Sequence, residues 1–165
     1  MMKRIISILL ENEFGALSRV VGLFSQRGYN IDTLAVAPTD DETLSRLTLT
    51  TQGDSQMAEQ IVKQLHKLID TIKVVDLTEG PHIERELMLL KIKAQDNDSR
   101  TELKSCVEIF RGQIIDVTPA SYTVQLAGDS EKLDAFIEAV SHMGIMEVVR
   151  SGVSGISRGD KFIRA

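Results

Sequence analysis

The chain has 165 residues, 42% of them hydrophobic and 26% charged, with a formal net charge of −5. That balance reads as globular and disfavours a nucleic-acid or anionic-membrane surface, since no dense Lys/Arg run stands against the acidic excess. One cysteine, Cys106, excludes an internal disulfide; no apolar run approaches the ~20 residues of a membrane span, and no secretory h-region opens the chain, so a cytoplasmic location is expected.

Arg4 to Leu10 is a β-branched and leucine-rich run of strand length. Beyond the loop Glu11 to Gly15, residues Leu17, Val20, Val21 and Phe24 fall at i, i+3, i+4 and i+7, one face of a helix. Gly28 supplies its C-cap, and Asn30 stands at the mouth of a second strand, Ile31 to Ala37. Pro38 to Glu42 is turn chemistry, and Leu44 to Thr51 is strand-like again, which makes a hairpin with a polar tip. Asp54 or Ser55 caps a helix with the apolar face Ala58, Ile61, Val62, Leu65, Leu68 and Ile69, and Ile72 to Leu77 closes the block as a strand.

Thr78 to His82 carries Gly-Pro among polar neighbours and reads as a linker. The order of elements then repeats. Leu87 to Ala94 is a strand, and Ser99 with Glu102 forms a capping box before a helix presenting Leu103, Cys106, Val107 and Phe110, ended by Gly112. Gln113 to Val117 and Tyr122 to Ala127 are strands, Asp129 or Ser130 opens a helix with Leu133, Phe136, Ile137 and Val140, and Ile145 to Val149 is the last strand. The glycine-bearing tail Ser151 to Ala165 is expected to be irregular.

Two βαββαβ sets with right-handed crossovers predict an α+β chain of two tandem ferredoxin-like domains, 1–78 and 83–165. Domains this small are marginal alone, and the apolar edge at Leu34 to Val36 is expected to serve association into a homodimer.

Catalytic chemistry finds little support. His66, His82 and His142 are isolated, Cys106 lies on an apolar helix face, the acidic run Asp40, Asp41 and Glu42 reads as a solvated hairpin tip, and Gly152 to Gly159 lacks a nucleotide-loop order. No metal or catalytic residue is assigned. The loop before the first helix is different. Asn12 is suited to capping or to orienting a ligand, and Gly15 lets a ligand reach backbone N–H groups that carry the positive end of the helix dipole, a place for a carboxylate. Asn and Gly are common at any strand-to-helix turn, so residue types alone leave a ligand site and a plain turn as alternatives.

LLENEFGALSRVVGLFSQRGYNIDTLAVAPTDDETLSRLTL (Leu9 to Leu49) closely resembles the N-terminal ACT domain of the small regulatory subunit of acetolactate synthase, also called acetohydroxyacid synthase. HKLIDTIKVVDLTEGPHIERELMLLKI (His66 to Ile92), EIFRGQIIDVTPASYTVQLAGDSEKLDAF (Glu108 to Phe136) and VVRSGVSGISRGD (Val148 to Asp160) resemble the rest of that subunit in the same order. The resemblance covers nearly the whole chain, at the length of the compact bacterial form.

It implies an N-terminal ACT domain that dimerises and binds valine, followed by an ACT-like regulatory domain with an irregular tail. Asn12, Gly15, Ala16 and Leu17 of one chain would form the valine pocket with Asn30 and Ile31 of its neighbour. Phe14 stands beside the pocket mouth. The resemblance also implies a non-catalytic subunit that activates a catalytic large subunit and confers feedback inhibition by L-valine in branched-chain amino acid synthesis. That partner uses thiamine diphosphate, magnesium and typically FAD; this chain is expected to bind no cofactor, and no nucleic acid or membrane. The hairpin tip Pro38 to Thr43 is expected at the contact with the partner. The alternative is an amino-acid-sensing ACT module that serves a different enzyme.

Overall fold

The computed structural model describes residues 1–165, in two compact units: Met1–Glu84 with Gly152–Ala165, and Arg85–Ser151. The first unit is built from β1 (Met2–Glu11), α1 (Ala16–Gln26), β2 (Thr33–Pro38), β3 (Leu44–Gly53), α2 (Ser55–His66) and β4 (Thr71–Asp76), with a 3-10 turn over Leu77–Glu79. Its antiparallel sheet has the order β2-β3-β1-β4, so β2 lies at an edge as the topology requires. Strands β1 and β3 pair without a break from Met2↔Gly53 to Glu11↔Leu44. Ile6, Ile8 and Leu10 of β1 and Leu47 and Leu49 of β3 face the helices, where they pack on Val20, Phe24, Ile61 and Leu65.

The expected apolar stripe of α1 divides. Val20 and Phe24 are buried, whereas Leu17 and Val21 stay partly exposed. Gly28 takes φ +71, and the N–H of Tyr29 closes on the carbonyl of Phe24, so the helix stops where a left-handed residue was expected. Helix α2 ends earlier than the periodicity predicts: Lys67 is its C-cap, and Ile69 projects into solvent instead of completing the apolar face. The linker reading of Thr78–His82 also changes. Leu77 is buried, Asp76 caps the 3-10 turn by accepting from the N–H of Thr78, and β5 (His82–Lys93) begins at once.

The tail is not wholly irregular. It carries strand β9 (Ser154–Ser157), which pairs with β5, whose residues through Glu84 belong to this unit. It covers the face of the first sheet that the helices leave open. Val153 is 1% exposed, and Ile5, Ser7 and Leu9 on that face are 2%, 0% and 4% exposed. Gly155 lets the tail approach closely there, since a Cβ would sit 2.7 Å from Leu77 Cδ1 and the buried Leu77 side chain would have to shift. The tail, expected with the second block, thus belongs to the first. Its polar, glycine-rich sequence hides this because from Ser151 to Asp160 only Val153 and Ile156 are large and apolar, and backbone pairing does the rest.

The second unit contains most of β5, then α3 (Asn97–Ile109), β6 (Gln113–Val117), β7 (Ser121–Gly128), α4 (Ser130–Val140) and β8 (Ile145–Arg150). Its sheet runs β6-β7-β5-β8, the same plait. Met88, Leu90 and Ile92 of β5 pack with Leu103, Val107, Leu133 and Phe136 of the helices. Glu86, buried, takes both Nε and Nη2 of Arg150 at 3.0 and 2.9 Å, while Nη1 reaches Asp134 at 2.6 Å. These carboxylates hold the Arg150 guanidinium firmly protonated, its pKa raised chiefly by the Glu86 hydrogen bonds.

Two details of α3 differ from expectation. The cap is Asp96, whose carboxylate accepts from the N–H of Ser99 at 2.8 Å; a charged acceptor one turn earlier displaces the Ser99–Glu102 box, and Glu102 pairs instead with His142. Those Ser99 hydrogen bonds hold the Asp96 carboxyl below its ordinary pKa. At the other end the left-handed residue is Arg111, φ +58, not Gly112. Gly112 serves close packing, since a Cβ there would lie 3.1 Å from the carbonyl oxygen of Gln125.

Candidate functional site

Three of the four helices begin on an aspartate: Asp54, Asp96 and Asp129 each accept from the N–H three residues on. The fourth, α1, begins on Gly15 at φ +85 and has no side-chain cap. The N–H of Ala16 is turned to the carbonyl of Glu13 and that of Arg19 to Gly15, and no acceptor meets the N–H groups of Leu17 and Ser18. Positive φ explains the glycine, because an L side chain at that conformation is strained. The consequence is a bare helix N-terminus beside a cavity of about 250 Å³, lined by Leu10–Glu13, Ala16, Leu17, Val36–Pro38 and Ser45.

Asn12 does not cap the helix. Its Nδ2 donates to the carbonyl of Glu42 at 2.9 Å, and its N–H donates to that of Thr43 at 2.7 Å, so it ties the loop to the β2–β3 hairpin tip. This leaves Oδ1 as its acceptor on the cavity wall. Asp41 organises the same tip by accepting from the N–H and hydroxyl of Thr43, which holds its carboxyl below the ordinary pKa. The acidic run is therefore turn chemistry.

Two residues that sequence reasoning did not assign define the electrostatics. Arg19, one helical turn beyond Gly15, places Nη1 3.0 Å from where a Gly15 Cβ would be and donates through Nε to the buried Asp70 at 2.5 Å. That hydrogen bond holds the Asp70 carboxyl below its ordinary value and raises the pKa of Arg19. The carboxylates of Glu11, Glu13 and Asp70 gather within 4.8 Å of one another, and the guanidinium is the cation already among them. The i+4 spacing of Arg19 from Gly15 was a usable signal; Asp70, distant in sequence, offered none.

The six residues expected at the pocket are not all together in one chain. Asn12, Ala16 and Leu17 line the cavity, with Gly15 at its edge. Asn30 and Ile31 lie beyond the other end of α1, whose 11 residues span ~16 Å at about 1.5 Å per residue. There Asn30 donates through Nδ2 to Asp32 at 2.7 Å, its carbonyl accepts from Thr51, and Ile31 packs partly against the core. No single small ligand reaches both sets within one chain. Phe14 is fully exposed and is not among the residues that line the cavity.

Chemically the cavity offers free N–H donors and a positive dipole at one side and carboxylates with an amide oxygen at another. That is an arrangement for a zwitterion. The histidines stay apart: His66 contacts the carbonyl of Val62, His82 that of Gly80, and His142 pairs with Glu102. Cys106 is half-buried on α3, and no helix is long and apolar enough to cross a membrane.

Residues 6–73 match the family model for the AHAS small subunit-like ACT domain, and residues 85–159 match that for the small subunit of acetolactate synthase. The acetolactate synthase isozyme 3 small subunits of Salmonella typhimurium and Escherichia coli are each 63% identical over 164 residues, covering 99% of this chain and 100% of theirs. The crystal structure of the acetolactate synthase small subunit from Thermotoga maritima superposes with a TM-score of 0.87 at 33% identity, over 98% of this chain and 100% of that one. With both plaits matched in order and relatives collinear from end to end, the chain belongs to the family of acetolactate synthase small subunits.

Proposed function

We propose that this regulatory subunit activates the catalytic large subunit of acetolactate synthase and confers on it feedback inhibition by L-valine, without chemistry of its own. The observation that carries the reading is the uncapped N-terminus of α1, set by Gly15 at φ +85 beside a cavity of amino-acid size. The N–H groups of Leu17 and Ser18 receive the ligand's carboxylate. Oδ1 of Asn12 and the carboxylates of Glu11 and Glu13 face its ammonium, while Ala16, Leu17 and Val36 supply the apolar wall.

Asn30 and Ile31 come from a second copy, since their distance from Gly15 along α1 forbids a role in the same chain's pocket. Dimerisation uses the surface that a single chain leaves apolar: edge strand β2 with Val36 exposed, the outer side of α1 with Leu17 and Val21, and Phe14 in the loop before it. The hairpin tip held by Asn12 meets the large subunit, which carries thiamine diphosphate, magnesium and FAD, in the cytoplasm. Valine acts by favouring one arrangement of the dimer, because a ligand of equal affinity for both would shift nothing.

Thermal unfolding with L-valine beside D-valine, followed by reconstitution with the large subunit, tests this. At about 100 times its dissociation constant, L-valine adds ~2.7 kcal/mol and raises the midpoint by several degrees. Equal midpoints with both enantiomers, together with valine-insensitive activity in the reconstituted enzyme, would refute the site.

A further inference from the structure

Arg46 rises from β3 on the sheet face away from the helices, in register with Leu9 of β1 and Ala37 of β2. Its Nε donates to the hydroxyl of Ser7, and its Nη2 donates to the carbonyl of Gly155 in the tail at 3.4 Å. Both acceptors are neutral. Burial lowers its pKa from the ordinary arginine value, and no acidic neighbour acts in the other direction. Asp40 and Asp41 border an adjoining cavity that Arg46 also touches, yet neither pairs with it. The other arginines on the sheets with buried or partly buried heads, Arg4 and Arg150, have carboxylates, whereas Arg100 on α3 donates to the carbonyls of Ala94 and Pro119. A half-desolvated guanidinium held by neutral groups is an unfavourable arrangement unless an anion completes it.

Beside Arg46 lies a cavity of about 280 Å³, walled by β2 from Ala35 to Pro38, by Thr48 and by Ser154 and Gly155 of the tail. Ala35 and Ala37, the β2 residues in register with Thr48 and Arg46, present small apolar surface to it. The volume falls just below the ~300 Å³ at which pockets for larger ligands begin. No helix N-terminus opens onto it, and the guanidinium supplies one positive charge, the match of one carboxylate.

We infer that this cavity is a binding subsite for a small aliphatic monocarboxylate, its carboxylate paired with the unengaged edge of the Arg46 guanidinium and its alkyl body laid against Ala35 and Ala37. The subsite is separate from the helix N-terminus and does not depend on the valine reading. It joins β2 and the tail, so an occupant bridges the sheet edge and the segment that covers the open face.

The test is titration of the full chain with isobutyrate, followed by nuclear magnetic resonance of the arginine Nε–Hε and backbone amide signals. The expected result is a saturable shift of Arg46 Nε and of the Gly155 amide, weakened at least about tenfold in Arg46→Gln. The glutamine amide can still donate to its neutral neighbours while relieving an unpaired charge, so the thermal midpoint of Arg46→Gln should equal or exceed that of the parent. A purely structural arginine predicts a lower midpoint with unchanged anion binding, which would overturn the inference. So would the absence of a saturable Arg46 shift by roughly 50 mM isobutyrate, where a site of 1 mM affinity is full, a measurement that needs no variant. Shifts confined to the Leu17 and Ser18 amides would place the anion at the helix and also overturn it. Inorganic phosphate binding as tightly as isobutyrate would overturn the ligand class.

Discussion

Gly15→Asp puts a side chain at φ +85 and a negative charge where the ligand carboxylate is proposed to sit. The conformation costs about 1–2 kcal/mol for an L-residue. A carboxylate at a helix N-terminus returns roughly 0.3–1 kcal/mol, and Arg19, whose Nη1 lies 3.0 Å from the new Cβ, moves a few tenths of an ångström and attracts it. The net penalty is near 1 kcal/mol, a fall of about 2–4 °C in a chain of this size. The effect on valine is larger. Losing two charge-assisted hydrogen bonds at roughly 1.5 kcal/mol each weakens binding more than about 100-fold before charge repulsion is added. Thermal unfolding with and without L-valine separates the two effects, and activity of the reconstituted enzyme reads the outcome. Near-parental stability, full activation and no valine response are expected. A variant that keeps the parent's valine-induced shift would refute the placement of the carboxylate at α1.

Other predictions concern stability. Ending the chain at Ser151 removes Val153 from the first sheet and exposes Ile5 and Leu9; at about 1.5–3 kcal/mol per large apolar side chain, the first unit should melt well over 5 °C lower and bind a hydrophobic dye, and an unchanged melting curve would refute the covering role of the tail. Arg111→Gly replaces a left-handed arginine at φ +58 and should stabilise the second unit by about 1 kcal/mol in urea unfolding; a lower midpoint would show that the arginine compensates for its conformation. Because Arg19 depresses the folded-state pKa of Asp70, the ion pair contributes stability that is complete above the unfolded value near 3.8 and is lost as pH falls through the depressed folded value. Asp70→Asn should therefore flatten the loss of stability below about pH 4, and an unaltered acid limb would assign that loss to other groups.

Much of this architecture was legible because local signals and global topology agree. Alternation in Ile6, Ile8 and Leu10, the 3.6-residue spacing of Ile61 and Leu65, and the aspartates before α2 and α4 each report an element through its own neighbours. The loop at Gly15 was legible for the same reason. What escaped was non-local or competitive. Asp96 displaced Ser99 as a cap because a carboxylate is the stronger acceptor, and Arg111 took the left-handed position because Gly112 was needed against the carbonyl of Gln125. The tail's place in the first unit depends on strand pairing across more than 60 residues, which no local periodicity reports. Asp70 became part of the site only through its distant partner Arg19.

Two places where this chain departs from its own pattern lie on opposite faces of one strand pair. Every other helix is capped by an aspartate, yet α1 is left bare; Arg4 and Arg150 have carboxylates, yet Arg46 does not. A single charged substitution would have relieved either defect, and a sequence shaped for stability alone would be expected to carry one. Strand β2 contributes to both cavities, through Val36 to Pro38 on the helix-start side and Ala35 to Pro38 on the tail side. Because β2 is the edge strand, anything that displaces it, a second copy or a ligand, acts on both cavities together. Occupancy at one face then biases the other only if the two ligands favour different positions of that edge, so the coupling should appear as reciprocal shifts in affinity of equal size. Titrating L-valine with and without isobutyrate, and the reverse, measures both arms. An apparent affinity that falls without limit as the other ligand is raised would mean that the two compete for one site, and null shifts in both arms that β2 holds one position in both states.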